Sequence, residues 1–508
     1  MRSPLAKHNC ESYVTRAESN LYPERTAMQI CDTLIRNANV LDGNGDPSEV
    51  LNVAILADRI CKIGPALQID ASKSIEAEGL TLAPGFIDVH THDDTSVIRT
   101  PAMLPKLSQG VTTVIVGNCG ISAAPVHLRG EPPDPMNLLG GAEAIRYPTF
   151  AAYVAAVRNA RPAVNVCALV GHTSLRNNHM NRLDRSATPF EIESMCAQLR
   201  EALDGGALGL SSGLAYLSAN AAPTEEVLAL ARPLASAGAV YTTHLRSETG
   251  AILEAMKEAF EIGRLSHVPI IISHLKCAGI DNWGRSGEIL SALDTVRNYQ
   301  PVACDCYPYA AGSSTLDLRQ VDERVTITIT WSSSHPEMAG RPLEQIAKEW
   351  NVTQFEAAKR LQPAGAIYHS IFEDDMRRIL RHPATMIGSD GLPNDPRPHP
   401  RLWGTFPRVL GRYCREEKLF SLPQAIYKMT GMPAQLFGLA QRGRIREGYY
   451  ADLVLFDPKK IADMATFSNP MRPAVGIERV WVNGTLSYAR EGSTEDRNGR
   501  FLPRGGTA

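Results

Sequence analysis

The segment Gly85-Phe-Ile-Asp-Val-His90-Thr-His92-Asp-Asp94 is the part of this chain that indicates its fold most directly. An apolar run ends there in two histidines that are separated by one residue. Because side chains at i and i+2 of a strand point the same way, His90 and His92 are expected to lie side by side. Two imidazoles at the carboxyl end of a barrel strand are typical of a metal-dependent active site. The segment therefore predicts the first strand of a barrel that carries a metal site.

Downstream of this segment, buried-looking strands alternate with helical stretches. Strands are predicted at 85–89, 112–116, 164–170, 209–210, 240–243, 270–273, 302–305 and 385–387. Helices predicted between them include 191–203, 225–237, 251–262 and 287–299. The alternation predicts an α/β fold, a (β/α)8 TIM-like barrel over residues 82–439. Residues 315–374 fit no barrel repeat, and we interpret them as an inserted lid segment.

The two ends of the chain have a different pattern, with short strands joined by Gly and Asp turns. One such turn is Asp42-Gly-Asn-Gly45. We expect residues 28–81 and 440–508 to build one small β-sandwich domain together. Residues 1–27 show no periodicity and are predicted to be a disordered extension.

Composition narrows the class of protein. The chain has 508 residues, a formal net charge of −2 and 44% hydrophobic residues, as in an ordinary globular protein of more than one domain. No basic run favours nucleic acid, and no apolar stretch reaches the ~20 residues that span a bilayer. The ten cysteines form no CxxC pair, which favours free thiols and a cytoplasmic location.

Further polar residues follow predicted strands and extend the metal hypothesis. His244 and His274 each end an apolar stretch, and either one alone is equally typical of a core histidine. Taken with His90 and His92 they give four histidines from three strands, the pattern of a barrel active site. Asp390, in Ser389-Asp-Gly391, is a turn residue on one interpretation and a base or metal ligand on the other.

Cys119 follows the strand predicted at 112–116. A buried structural cysteine is the usual interpretation. Here the thiol lies beyond the strand end, where ligands are expected, and a thiolate suits zinc.

Several motifs in order resemble those of the D-aminoacylases, a family of the metal-dependent amidohydrolase superfamily. Besides residues 85–94, they are Gly117-Asn-Cys-Gly-Ile-Ser122, His274-Leu-Lys276, Asp305-Cys-Tyr-Pro-Tyr309, Ser389-Asp-Gly-Leu-Pro393 and His399-Pro-Arg-Leu-Trp-Gly-Thr-Phe406. The resemblance spans residues 32–488. It implies a barrel with a small β-domain, the fold that the patterns also predict.

The resemblance also implies a role for each matching residue. Cys119, His244 and His274 are expected to hold a tightly bound zinc ion. His90 and His92 contribute to a second, weaker metal site near Asp390, which is also similar to the family's general base. The resemblance further implies that the substrate carboxylate is held by Lys276, Tyr309 and Ser313.

The chain lacks a lysine in the region where related enzymes use one to bridge two metal ions. Many two-metal amidohydrolases bridge their metals with a carboxylated lysine from a middle strand. This chain has no lysine between Gly110 and His244, so that bridge is unavailable in this region. Either another group bridges, with Cys119 as the obvious choice, or one metal binds.

The function implied is zinc-dependent hydrolysis of N-acyl-D-amino acids to a carboxylic acid and a D-amino acid, with Asp390 as general base and acid. The alternatives are a hydrolase of another amide, such as a dipeptide, a carbamoyl-amino acid or a cyclic amide, and a non-catalytic barrel. The absent lysine counts against cyclic amides. A nucleobase deaminase is disfavoured because His244-Leu-Arg-Ser247 lacks the glutamate of a His-x-x-Glu element. The expected partner is a small-molecule substrate, and the oligomeric state stays open, a homo-oligomer included.

Overall fold

Eight parallel strands form the barrel in the computed structural model, which describes residues 30–506; the extension predicted at 1–27 lies outside these residues. In order around the barrel the strands are Phe86–Asp88, Val111–Val116, Asn165–Ala168 continued by Val170–Gly171, Gly209–Gly213, Val240–His244, Ile270–Ile272, Val302–Cys306 and Thr385–Ile387. A parallel bridge between Thr91 and Gly391 joins the first strand to the last. The predicted (β/α)8 fold is confirmed.

Helices cover the outside of these strands. The longer ones are Phe150–Ala160, Pro189–Asp204, Thr224–Ala237, Ile252–Ser266, Ser286–Arg297, Glu373–Arg381 and Leu422–Met429. The second shows why they form: Thr188 and Glu191 make a capping box at its start, and Leu199 and Leu203 are buried one turn apart. Within residues 30–506, no helix combines the length and the apolarity needed to cross a bilayer.

Shorter helical segments lie in the connections. They are Ser96–Arg99, Leu104–Leu107, His172–His179, Leu343–Glu349, Gln354–Leu361, Arg401–Arg408 with its π-helical continuation Val409–Glu416, and Gly431–Leu436. Two of them, His172–His179 and Arg401–Arg408, begin at the carboxyl end of the barrel, where side chains from the strand ends converge.

The amino end of the barrel is filled by apolar side chains. One cluster takes in residues from or beside the strands together with later helices: Ile87, Val89, Ile115, Cys167, Leu169, Leu208, Val240, Ile271, Ala303, Met386, Met432, Ala434, Phe437, Leu439 and Leu502. Because the interior is packed there, the polar residues that follow the strands meet at the opposite, carboxyl end.

Both chain ends contribute to a separate nine-stranded sheet, as the sequence predicts. Its strands are Ile30–Val40, Glu49–Leu56, Arg59–Gly64, Asp70–Glu76, Thr81–Pro84, Leu453–Phe456, Ile477–Val482, Thr485–Ala489 and Gly492–Ser493. Thr81–Pro84 pairs antiparallel with Leu453–Phe456, so the two ends of the chain meet in the middle of the sheet.

A buried polar junction, centred on Asp452, links this sheet to the barrel. The Asp452 carboxylate accepts hydrogen bonds from Asn483 N–H at 2.8 Å, from Asn165 Nδ2 at 3.1 Å and from Arg442 Nη1. Asn165 is the first residue of the third barrel strand. The junction therefore lies at the amino end of the barrel, away from the carboxyl ends of the strands.

The region interpreted as an insertion has its own small sheet and core. Its strands Gly312–Thr315, Ile327–Ser332 and Ala364–Tyr368 form one antiparallel sheet, against which helices Leu343–Glu349 and Gln354–Leu361 pack. The region lies between the seventh and eighth barrel strands. Its role as a lid stays a prediction.

Candidate metal centre

Six residues predicted from the sequence meet at the carboxyl end of the barrel. Nitrogen, sulfur and oxygen atoms of His90, His92, Cys119 and Asp390 lie within 4.8 Å of one another, and those of Cys119, His244 and His274 do the same. Cys119 belongs to both groups, since its Sγ is 3.2 Å from His90 Nε2 and 3.3 Å from His274 Nε2. The thiol is therefore placed where it can touch two neighbouring metal positions.

Two glycines place Cys119 there. Gly117 has φ +80°, and a Cβ on it would lie 2.2 Å from the Leu169 carbonyl oxygen. Gly120 has φ +76°, and its Cβ would lie 2.6 Å from Gly213 N. Only glycine fits such close backbone contacts without strain, so the Gly-Asn-Cys-Gly element shapes the loop that carries the thiol.

Three of the six residues adopt a left-handed backbone conformation. Their φ angles are 55° at Cys119, 36° at His274 and 50° at Asp390. A non-glycine residue held in such a conformation costs about 1–3 kcal/mol and persists only where the surrounding structure enforces it. The fold accepts this cost at the positions where the side chains converge.

The donor set fits a zinc ion. Imidazole nitrogen, thiolate sulfur and carboxylate oxygen are the ligands that zinc takes in proteins. Among the described residues, buried His92 Nδ1 and His244 Nδ1 have no hydrogen-bond partner. Buried polar atoms are rarely left without one. His92 directs Nε2, not Nδ1, toward Asp390, whereas His244 directs Nε2 toward Glu248, so the unpartnered Nδ1 of His244 is the nitrogen left for a metal.

Electrostatics keeps the thiol ionised. Burial opposes ionisation of Cys119, but the neighbouring charges of His90 and His274 outweigh it and hold the pKa of the thiol well below its usual range. The thiolate is the form of cysteine that binds metals.

Asp390 joins the metal group to a buried arginine. Its Oδ1 lies 3.2 Å from His92 Nε2, and its Oδ2 lies 2.8 Å from Arg401 Nη1. Burial opposes ionisation of this carboxyl, yet the charges of Arg401 and of the nearby histidines hold its pKa well below the usual value. Asp390 is therefore a carboxylate beside the metal residues, in a form that can accept a proton.

Arg401 is one of three residues that present unpaired polar atoms next to this group. Within the described part of the chain, the buried atoms Arg401 Nε, Tyr307 Oη and Ser313 Oγ make no hydrogen bond, whereas Arg401 Nη1 is paired with Asp390. The Arg401 guanidinium lies 4.6 Å from the centre of the Tyr307 ring, and its Nη2 donates to the Ser313 carbonyl at 2.9 Å. Two hydroxyls and the Nε–H of a guanidinium lack partners there, and together they form a pocket suited to a carboxylate.

Tyr309 lies outside this pocket. Its hydroxyl is 3.5 Å from the Pro400 carbonyl, and its ring centre is 4.7 Å from the Arg408 guanidinium. The barrel strand ends at Cys306, and Tyr309 N–H donates to the Tyr307 carbonyl at 3.0 Å. The chain turns there, so Tyr307 is the tyrosine that faces Arg401.

Lys276 is already engaged by protein groups. Its Nζ is 2.5 Å from Glu248 Oε1, 3.0 Å from the His274 carbonyl and 2.9 Å from His274 Nδ1. Glu248 Oε1 and the His274 carbonyl accept from this ammonium group, and His274 Nδ1 lies beside it as a second neighbour of Glu248 Oε1. Lys276 therefore borders the metal group with its charge paired to Glu248, whereas Arg401 keeps Nε free to receive a ligand.

Arg401, Tyr307 and Glu248 are the functional residues that sequence reasoning missed. Arg401 and Tyr307 stand inside the quoted motifs 399–406 and 305–309, but their direction depends on loops. Glu248 follows His244 by four residues. A search for carboxylates within one helical turn of each metal histidine would have found it.

Comparisons with known proteins agree with this geometry. The model of a family described as "Amidohydrolase family" matches residues 73–488. A D-aminoacylase of Alcaligenes xylosoxydans xylosoxydans is 46% identical over 93% of this chain and 98% of its own length. An N-acyl-D-aspartate deacylase of the same organism is 46% identical over 93% of this chain and 95% of its own. The crystal structure of N-acyl-D-glutamate deacylase from Bordetella bronchiseptica, complexed with zinc and a phosphonate inhibitor, superposes with a TM-score of 0.91 at 42% identity, over 94% of this chain and 100% of that one. The chain therefore belongs to the amidohydrolase family, within its group of D-aminoacylases and related N-acyl-D-amino-acid deacylases.

Proposed function

We propose that this protein is a zinc-dependent amidohydrolase that hydrolyses N-acyl-D-amino acids to a carboxylic acid and a D-amino acid. The observation that carries the proposal is that a candidate metal site and a candidate carboxylate-binding site are in contact. A group of metal-binding residues is joined through Asp390 to the unpaired donors of Arg401, Tyr307 and Ser313. A substrate with a carboxylate beside its amide bond matches that arrangement.

In this proposal, the two groups of metal-binding residues hold different ions. Cys119, His244 and His274 hold the tightly bound zinc, and His90, His92 and Asp390 hold a second, weaker ion. Bound there, zinc polarises the amide carbonyl and lowers the pKa of water from about 15.7 to ~7.

Asp390 moves the proton. Its carboxylate accepts the proton of the attacking water and then donates it to the amide nitrogen, which leaves as the amine of the amino acid. Arg401 contacts the same carboxylate at 2.8 Å and so limits the directions from which Asp390 can approach a substrate.

The pocket of unpaired donors orients the substrate. Arg401, Tyr307 and Ser313 bind its α-carboxylate, with Lys276 close by, and the scissile amide is then directed toward the metal residues. This arrangement fixes two substituents of the α-carbon, so only one hand of the amino acid directs its side chain away from the protein. Both curated relatives are named for D-amino acid derivatives, which supports the D configuration.

Two further proposals concern location and organisation. The described cysteines are free thiols, which supports a reducing, cytoplasmic compartment. Domain limits are proposed at 84/85 and 439/440, with residues 315–374 as an insertion that acts as a lid. The first limit lies three residues after the 81/82 expected from the sequence, because strand Thr81–Pro84 belongs to the nine-stranded sheet. Ser313, just before it, supports this because its Oγ belongs to the pocket of unpaired donors.

The test is a paired panel of N-acetyl-D- and N-acetyl-L-amino acids with acidic, apolar and basic side chains. Release of free amino acid is measured for zinc-loaded protein, for protein treated with a chelator, and after zinc is restored. We expect cleavage of D substrates only, lost with the chelator and regained with zinc. Zinc-bound protein that cleaves neither series would refute the proposal and favour another amide.

A further inference from the structure

Glu248 lies in the loop after strand Val240–His244 and contacts both histidines of the group that contains Cys119 and His274. Its Oε1 is 3.0 Å from His274 Nδ1, and its Oε2 is 3.6 Å from His244 Nε2. The side chain is only 13% exposed. One carboxylate therefore reaches two imidazoles from the side away from the thiol.

The contacts distinguish the two nitrogens of each ring. In His274, Nε2 lies 3.3 Å from Cys119 Sγ, and Nδ1 faces Glu248. In His244, Nε2 is the nitrogen toward Glu248, and Nδ1 is buried without a hydrogen bond. An ionised carboxylate only accepts hydrogen bonds. At 3.0 Å it accepts from His274 Nδ1–H, and at 3.6 Å, beyond hydrogen-bond distance, its charge favours a proton on His244 Nε2. The opposite nitrogen of each ring then keeps its lone pair for a metal.

The same carboxylate also engages Lys276, through the 2.5 Å contact with Nζ. The ammonium group contacts the His274 carbonyl as well, at 3.0 Å, so it is held beside the ring that it borders. Glu248 is thus shared by two histidines and a lysine that come from the fifth and sixth barrel strands and the loops after them.

We propose that Glu248 is a positioning residue that sets the ring orientation and tautomer of His244 and His274, and thereby the metal affinity of the site, while it fixes Lys276 beside them. The inference rests on the proposed zinc site but not on the substrate. Outer carboxylates of this kind typically change metal affinity or activity by about 10- to 100-fold when they are lost.

The experiment compares E248Q with E226Q by competition with a zinc chelator. Glutamine keeps the shape of Glu248 but loses its charge and one acceptor oxygen, so it cannot act on both histidines as the carboxylate does. We expect zinc to bind E248Q about 10- to 100-fold more weakly than the natural chain. Glu226 is a matched control because it is also a buried carboxylate shared by a histidine and a cation, outside the metal groups: its Oε1 is 3.0 Å from His172 Nε2 and accepts from Arg176 Nη1. E226Q should keep the natural zinc affinity.

Thermal unfolding of metal-free protein separates positioning from a general loss of stability. If E248Q binds zinc as tightly as the natural chain does, or if E226Q weakens zinc binding equally, the inference is wrong. Should E248Q fail to fold, E248D is used instead, and its zinc affinity is expected to lie below that of the natural chain, because the shorter side chain draws the carboxylate away from the histidines. E248D that binds zinc as tightly as the natural chain would then overturn the inference. Zinc affinity is read without turnover, so a natural chain that binds zinc but cleaves no N-acyl amino acid would refute the proposed function and leave this test intact.

Discussion

The metal centre and the Asp452 junction are both buried and polar, but they differ in how many of their atoms are paired. At the junction, both oxygens of the Asp452 carboxylate accept hydrogen bonds, from Asn483, Asn165 and Arg442, although Arg442 Nη2 and Asn483 Oδ1 have no partner. At the metal centre, ring nitrogens, hydroxyls and the Nε–H of a guanidinium are left without hydrogen bonds. A buried polar group that is paired within the chain supports the fold, whereas an unpaired one costs stability unless a ligand completes it. The paired Asp452 carboxylate therefore supports the fold, whereas the unpaired groups at the metal centre are placed to bind substrate or metal.

The largest expected effect is on turnover at the metal centre. Asp390→Asn removes the group that accepts the proton, so kcat should fall by about 10²- to 10⁴-fold. Zinc should remain bound, because Cys119, His244 and His274 are unchanged. Steady-state kinetics and metal analysis of the purified variant measure the two quantities. Near-normal kcat in this variant would remove Asp390 from the mechanism.

The matching change at the junction should affect stability and spare turnover. Asp452→Asn leaves Arg442 as a buried charge without its partner, which typically costs about 3–5 kcal/mol. The free energy of unfolding from denaturant titration should fall by that amount, and kcat should stay unchanged at temperatures where the variant is folded. If Asp452→Asn lowers kcat but leaves the free energy of unfolding unchanged, the junction does not act through stability and the contrast with the metal centre is wrong.

A smaller effect is expected at the pocket of unpaired donors. Arg401→Met removes a charged hydrogen-bond donor worth about 1.5–3 kcal/mol, so kcat/KM should fall by ~10- to 150-fold. KM should rise because the contact with the substrate carboxylate is lost, and kcat should fall as well because Asp390 loses the ion pair that positions it. The control is a substrate whose carboxylate is replaced by a carboxamide. The loss caused by the variant should shrink with that substrate, and an equal loss with both would contradict the role given to Arg401.

The smallest effect separates two tyrosines. Tyr307→Phe removes one hydroxyl that faces the substrate, worth about 0.5–1.5 kcal/mol, so kcat/KM should fall by ~2- to 10-fold. Tyr309→Phe should leave kcat/KM unchanged, because its hydroxyl faces Pro400. The opposite ranking would restore the role that the family resemblance gives to Tyr309.

The sequence predicts most of this architecture because the barrel makes a simple rule available. Polar residues that follow buried parallel strands converge at one end, so His90, Cys119, His244 and His274 can be grouped before any coordinates are known. The rule does not predict the directions of side chains in the turns and loops beyond the strand ends. Tyr307 and Tyr309 are two residues apart, yet a turn directs them to different neighbours.

Glu248 and Arg401 show a second limit. Glu248 stands four residues after His244, and a search at the spacing of a His-x-x-Glu element passes it by. Arg401 belongs to a helix that begins after the last barrel strand, and only the fold brings its guanidinium to Asp390. Contacts between separate loops depend on the whole tertiary structure, which local periodicity does not encode.

At Cys119, His274 and Asp390, the left-handed backbone conformation opposes selection for thermal stability to selection for turnover. Glycine accepts such backbone angles without strain, so a search for heat-resistant variants made without substrate would reward glycine at these three positions. In the proposed mechanism, each gain would delete a side chain that the reaction needs. Directed evolution of this chain toward robustness would then have to screen for turnover at every round, because at these positions the more durable protein would be the inactive one.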